Sequence, residues 1–220
     1  MYIEFIGLPG AGKSTVLKYI SEQSWFRDAG FSVYDSKDRG SVIYKILLSC
    51  FLLVSRFSLF VALLKHCSIS NNLGIIQVKQ CFAFLRLNHS MKKTKNVIFQ
   101  DQGLLQMLVS LQVPVCTEKE YTPLKKINRL IEQKVKVVVF ISIDEGSASE
   151  RIKKRKEGYS RADRLTGKDE KIFLNDFKVV LDKIMDIYSM NQNIHILLLD
   201  GNKSLDEKNL YIKSAFKGIL

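Results

Sequence analysis

Proline is almost missing from this chain, with 3 among 220 residues. That scarcity, beside a hydrophobic share of 46%, excludes a proline-rich disordered protein and predicts a compact globule, one substantial α/β domain. Cysteine is nearly as sparse. The 4 cysteines (Cys50, Cys67, Cys81 and Cys116) are widely spaced and mostly sit in apolar runs. No C-x-x-C and no Cys/His metal spacing occurs, which argues against a disulfide scaffold or a zinc module and reads as reduced, buried thiols in a cytoplasmic protein. An uninterrupted apolar run of bilayer length is lacking too. Residues 46–64 come nearest, but Arg56 interrupts them and Lys45 and Lys65 bracket them, short of the roughly 20 residues a bilayer needs. Lys45 and Arg56 are spaced to share one helical face, so the region reads as two packed helices or one long one with a narrow polar stripe. Membrane attachment is the secondary reading. Acid is the last shortage: 22 Asp and Glu stand against 34 Lys and Arg, a net charge of +12. The basic residues are spread along the chain without aromatic interleaving or a nucleic-acid motif. No nucleic-acid partner is expected; polyphosphate substrates and solvated faces account for the charge.

What the chain does have is concentrated at its start. Residues Gly7 to Ser14 read G-L-P-G-A-G-K-S, a complete match to the phosphate-binding pattern G-x-x-x-x-G-K-[ST]. The apolar run Tyr2-Ile3-Glu4-Phe5-Ile6 leads into it, and a helix-compatible run from Ser14 to Ser21 follows. Strand, glycine loop and helix form the context in which backbone N–H groups and a helix N-terminus can cradle a polyphosphate. A nucleoside triphosphate is expected on Gly7, Pro9, Gly10, Ala11, Gly12, Lys13, Ser14 and Thr15, with Lys13 on the β- and γ-phosphates and the Ser14 hydroxyl on Mg²⁺. A loop starting at residue 7 leaves no space for a signal peptide.

Four further strands are predicted, at Phe31–Tyr34, Val97–Phe99, Val135–Ile143 and Ile194–Leu199. Helical runs alternate with them: Ser41–Lys65, Gly74–Lys92, Gly103–Leu111, Thr122–Gln133, Ser147–Glu157, Asp169–Met190 and Leu205–Lys217. The alternation predicts a parallel sheet with helices on both faces, and ligands at the carboxyl ends of its strands. Gly7, Asp35, Asp101 and Asp144 fall at such ends. Asp101 can hold Mg²⁺ or take a proton from an attacking group, or it can simply cap the helix after it. Residues 147–164 form the densest basic cluster. Arg151 and Arg155 at i, i+4 are expected on one helix face, with Gly158 breaking the helix and Arg161 and Arg164 beyond it. Arginines there suit the charge of a migrating phosphoryl group, and a segment hinged at Gly158 and Ser160 suits a lid.

Taken with these motifs, the chain resembles the thymidylate kinase-like branch of the P-loop kinases, which includes nucleoside monophosphate and deoxynucleoside kinases. Besides the loop, the resemblance rests on Phe82–His89 followed by Val97–Asp101, on Asp144…Glu150-Arg151…Arg155, and on Asp163-Arg164. It implies a three-layer α/β P-loop fold over residues 1–220, five parallel strands in the order 2-3-1-4-5, and a lid at about 147–167. It also implies ATP and Mg²⁺ as cofactors, Arg86 and Asp35 on the acceptor side, and Arg151, Arg155 and Arg161 as lid arginines. Dimers of that group bury apolar helices, which would give residues 41–67 a role. One departure stands out: Gln102 follows Asp101 where the group usually carries an arginine on the acceptor's phosphate, and a neutral amide cannot make that contact. Arg39 could compensate. The resemblance implies ATP-dependent phosphoryl transfer to a nucleotide or nucleoside, with another small acceptor such as a sugar or envelope precursor, or a decayed nucleotide-binding module, as alternatives. A GTPase switch is disfavoured because Asn202-Lys203-Ser204-Leu205 lacks the aspartate of N-K-x-D.

Overall fold

The computed structural model describes residues 1–34, 41–69, 74–91, 96–112, 125–155 and 162–219. In chain order these form β1 (Tyr2–Gly7), α1 (Lys13–Ser21), α2 (Ser24–Asp28), β2 (Ser32–Val33), α3 (Val42–Ser55), α4 (Phe57–Ile69) and α5 (Ile75–Ser90). Then follow β3 (Ile98–Gln100), α6 (Leu104–Gln112), α7 (Lys125–Lys134), β4 (Val135–Ser142), α8 (Glu145–Lys153), a 3₁₀ turn (Ala162–Arg164), α9 (Gly167–Ser189), β5 (His195–Asp200) and α10 (Leu205–Ile219). All five strands are parallel and lie in the expected order β2-β3-β1-β4-β5.

β1 and β4 are covered on both faces, which is why they read as nearly continuous apolar runs. Their register sets Ile3 against Val137 and Gly7 against Ile141. The chain builds outward from β1 to one side through β3 and β2, then to the other side through β4 and β5. The carboxyl ends of β1 and β3 therefore flank the switch point where such sheets open a crevice.

Helices α1, α2 and α10 pack together over one face, and α5, α6, α7 and α9 cover the other. The first face is held by aromatic rings around Phe99 of β3. The rings of Phe26, Phe216, Phe31 and Phe5 lie 4.9, 5.3, 5.4 and 6.3 Å from it. Trp25 Nε1 donates to Asn209 Oδ1 at 2.9 Å, and the Tyr19 hydroxyl donates to Asp206, so α1 and α2 are both tied to the start of α10.

Several boundaries differ from expectation for local reasons. α8 starts at Glu145 because Asp144 caps it, its Oδ1 accepting from Ser147 N at 2.8 Å. It ends at Lys153, well before Gly158. The short α2 was not anticipated. The apolar region resolves into two helices bent by 92°. Arg56 stands at the break with φ −126° and ψ 28°, so it shares no helical face with Lys45. α4 buries Leu59, Ala62, Leu63 and Cys67, while α3 stays largely exposed. Among the described residues no single helix is long and apolar enough to cross a membrane. Cys67 and Cys81 are buried thiols whose Sγ atoms lie 3.9 Å apart in a hydrogen bond rather than a disulfide. Cys50 is exposed, against the expectation of buried thiols, because α3 turns that side outward. Cys116 lies outside the described residues.

Phe99 is fully buried and touches four other rings. Phe99→Ala is expected to lower stability by about 3–5 kcal/mol in denaturant titration. A loss under ~1 kcal/mol would show that the rings do not depend on it.

Candidate functional site

The loop between β1 and α1 packs so tightly that one of its residues must be glycine. Gly10 has φ +89°, and a Cβ there would stand 2.6 Å from the carbonyl oxygen of Ala148 in α8. Above this turn, Lys13 Nζ donates to the carbonyls of Gly7 (2.8 Å) and Leu8 (2.9 Å). The ammonium thus folds back over its own loop. Desolvation, with Arg155 nearby, pushes its pKa down to about 7, while Asp101 pulls the other way. Ser14 Oγ donates to Asp101 Oδ2 at 2.6 Å, joining the start of α1 to the end of β3. A cleft of about 330 Å³ opens over these groups, and Lys13, Ser14, Asp101, Gln102 and Arg155 line it.

Beneath the loop lies an arrangement that the sequence reading passed over. Glu4, in the middle of β1, is fully buried. Its Oε1 accepts from Gln106 N at 2.7 Å and its Oε2 from Leu105 N at 3.1 Å, so a strand carboxylate caps the first turn of α6. Burial drives its pKa up to about 7 although these backbone hydrogen bonds work against the rise. Gly103 makes room, since a Cβ there would collide with the Glu4 carboxyl. Gln106 in turn accepts from Gly7 N at 3.1 Å through Oε1. A lone acid inside an apolar strand was the available signal for this cluster. Gln106 gave none, being one amide in a helical run.

The expected residues divide. Pro9, Gly10, Lys13, Ser14, Asp101 and Arg155 meet in the cleft. Ala11 is buried within the loop, Thr15 is exposed beside Ser14, and Gly12 begins α1. Arg151 and Arg155 do not share a helix face, because α8 ends between them. Arg155 faces the cleft and lies 3.8 Å from Asp163. Arg151 reaches instead for the turn after β5, donating to Gly201 O and Asn202 Oδ1, each at 3.1 Å. Asp144 is committed to capping α8 rather than to the cleft. Arg86 of α5 faces α3, where its Nη1 donates to Ser49 Oγ at 2.7 Å. The α5 residue that does reach the cleft is Gln80, whose Oε1 is buried without a hydrogen-bond partner among the described residues. Asp35, Arg39, Arg161 and the hinge at Gly158 and Ser160 lie outside the described residues.

Ser14 and Asp101 present a hydroxyl and a carboxylate oxygen side by side, the hard donors that Mg²⁺ takes when phosphates and waters complete its shell. Among the described residues no group of three or more His, Cys, Asp or Glu could hold a metal by itself, so a bound phosphate would have to finish the site.

Sheet order, loop and the carboxylate ending β3 together define a P-loop NTPase fold. Among solved structures the chain is similar to deoxyadenosine kinase from M. mycoides. With the products dCMP and dCDP bound, that structure matches at TM-score 0.55 and 16% identity, over 100% of both chains. With dCTP the values are 0.55 and 18%, over 99% of this chain and 100% of the other; with dATP they are 0.52 and 16% at the same coverage. At such identity the likeness is one of fold. No family model matches the sequence, and no curated protein matches it either.

Glu4 carries a stability prediction with a definite sign. A carboxyl raised from 4.5 to about 7 on folding stabilises the fold at pH 4 and loses that contribution as pH rises through 7, on the order of 3 kcal/mol. The difference in unfolding free energy between the protein and Glu4→Gln should therefore change across pH 4.5–7.5. A constant difference would mean that Glu4 does not titrate with folding.

Proposed function

We propose that this chain is an ATP- and Mg²⁺-dependent kinase that phosphorylates the hydroxyl of a nucleoside, of the deoxynucleoside kind. One observation carries the reading: a single cleft gathers Lys13, the Ser14–Asp101 pair and Arg155 on one side and neutral amides on the other. Lys13 would leave the Gly7 and Leu8 carbonyls for the β- and γ-phosphates. Ser14 and Asp101 would hold Mg²⁺, which would supply positive charge beside the phosphates. Arg155, joined by Arg161 from the lid, would stabilise the migrating phosphoryl group. Arg151 would act by positioning, bracing the turn after β5 beside Gly12. The acceptor hydroxyl attacks the γ-phosphorus, its bond to ADP breaks, and the hydroxyl proton passes to Asp101 or Asp35. Catalysis is then mainly positioning and preorganised charge.

The acceptor side favours a nucleoside over a monophosphate. The described lining there is Gln80, Gln102, Gln106 and Met107, and its cations are Lys13 and Arg155, both on the donor side. Amides suit the polar edge of a base or a sugar hydroxyl, whereas a second phosphate would ask for an arginine at Gln102. Asp35, Arg39 and Arg86 remain the acceptor-side residues that the family resemblance implies. The deoxyadenosine kinase likeness and the nucleotides in those structures fit this choice and a cytoplasmic setting.

ADP release from ATP, measured against deoxynucleosides, nucleoside monophosphates and phosphosugars with Lys13→Ala as the blank, tests it. Turnover with a deoxynucleoside, lowered about 10²-fold or more in Lys13→Ala, is expected. Turnover on a phosphosugar alone, or on none of them, would overturn the reading. A second test uses the proton on Lys13. Its pKa of about 7 in the free protein rises again once phosphates face it, so binding above pH 7 must take up a proton. ATP affinity should fall from pH 7 to 9, and calorimetry in two buffers of different ionisation enthalpy should show the uptake. Equal heats in both buffers at pH 8 would refute it.

A further inference from the structure

We infer that α3 is an interfacial helix that seats this chain on an anionic phospholipid leaflet. The helix is inside out. Ile43, Ile46, Leu47, Phe51 and Val54 fall on one arc and all are exposed, Ile43 at 71% and Val54 at 82%. Among its described residues only Leu52 is buried. Its polar side turns inward: Ser49 accepts from Arg86, and Lys45 lines the groove between α3 and α5 with Lys79. Phe57 at the start of α4 and Ile75 and Ile76 at the start of α5 are further exposed apolar residues. An exposed apolar helix face of this kind marks an interaction site.

Charge decides what covers it. No aspartate or glutamate occurs anywhere among residues 39–100, while Arg56, Lys65 and Lys79 are exposed there. A second copy related by a two-fold axis would set this acid-free surface against itself, with cations opposed and no carboxylate to pair them. An anionic leaflet answers both features. Acyl chains receive the apolar arc, and lipid phosphates receive the flanking cations, whose long stems let them reach the headgroups. The helix lies in the plane rather than across it, because α4 turns away by 92° and buries its own apolar residues in the core.

Flotation with vesicles tests the assignment. The protein should float with vesicles of phosphatidylcholine mixed with phosphatidylglycerol at low salt, and about tenfold less with pure phosphatidylcholine. Phe51→Ser/Val54→Ser alters exposed side chains only, so it should keep ATP affinity while losing flotation about tenfold or more. Arg56→Glu/Lys79→Glu should remove the preference for the anionic vesicles. Failure of the unaltered protein to float with anionic vesicles, or flotation unchanged in both variants, would overturn the inference. So would a dimer in analytical ultracentrifugation that Phe51→Ser/Val54→Ser converts to monomer without any vesicle binding, since a second copy would then cover the face.

Discussion

Burying the Glu4 carboxylate in the centre of β1 would cost roughly several kcal/mol if its oxygens went unfilled, and the first turn of α6 fills them. The backbone N–H groups of Leu105 and Gln106 are among the donors that a helix start leaves without partners. Each side thus satisfies what the other would leave buried and unmade. The rest of the site follows from that contact. With α6 fixed against β1, Gln106 stands beneath the loop and takes the Gly7 N–H. Asp101, shortly before α6, is held where Ser14 can donate to it. The rim of the cleft is therefore anchored from below, by a carboxylate that does not itself line the cleft.

Above that floor the loop is already shaped for a polyphosphate, and its cation waits on internal partners. Lys13 rests on two carbonyls of its own loop, contacts that satisfy an ammonium without neutralising it. Desolvation and Arg155 make the charged form costly there, a penalty that a polyanion above the loop would relieve. Arg151 and Arg155 diverge because α8 ends between them. One secures the turn after β5 beside Gly12; the other is left, beyond the end of α8, to face the cleft.

The fold and the shape of the glycine loop were legible because both are written in rules of spacing and context. A phosphate-binding pattern fixes the order of its glycines, and central parallel strands must be apolar on both faces, so the loop Gly7–Ser14 and the strand expected at Val135–Ile143 declared themselves. Side-chain constellations obey no such rule. The i, i+4 spacing of Arg151 and Arg155 suggested a shared face, but where α8 ends decided otherwise. The same holds for Lys45 and Arg56, whose common face disappears once the chain bends at Arg56. Gln80 and Gln106 came to the cleft from separate helices, and only packing brought them there. Asp144 looked like a site residue because it ends a strand, yet the first turn of α8 claims its carboxylate.

That division also separates the two halves of the cleft physically. The loop side of the cleft is held by backbone, the side lined by Gln80 and Gln102 by side chains, and α5 is where the cleft meets the rest of the surface. Gln80 projects from this helix into the cleft, while its neighbour Lys79 and, further along, Arg86 line the groove against α3. One helix thus serves as the wall of both. Arg86, which the family resemblance places on the acceptor side, also donates to Ser49 of α3. α5 thus carries both the amide that enters the cleft and the guanidinium that meets α3, so a shift of this helix would be felt at the cleft and at the exposed apolar face together.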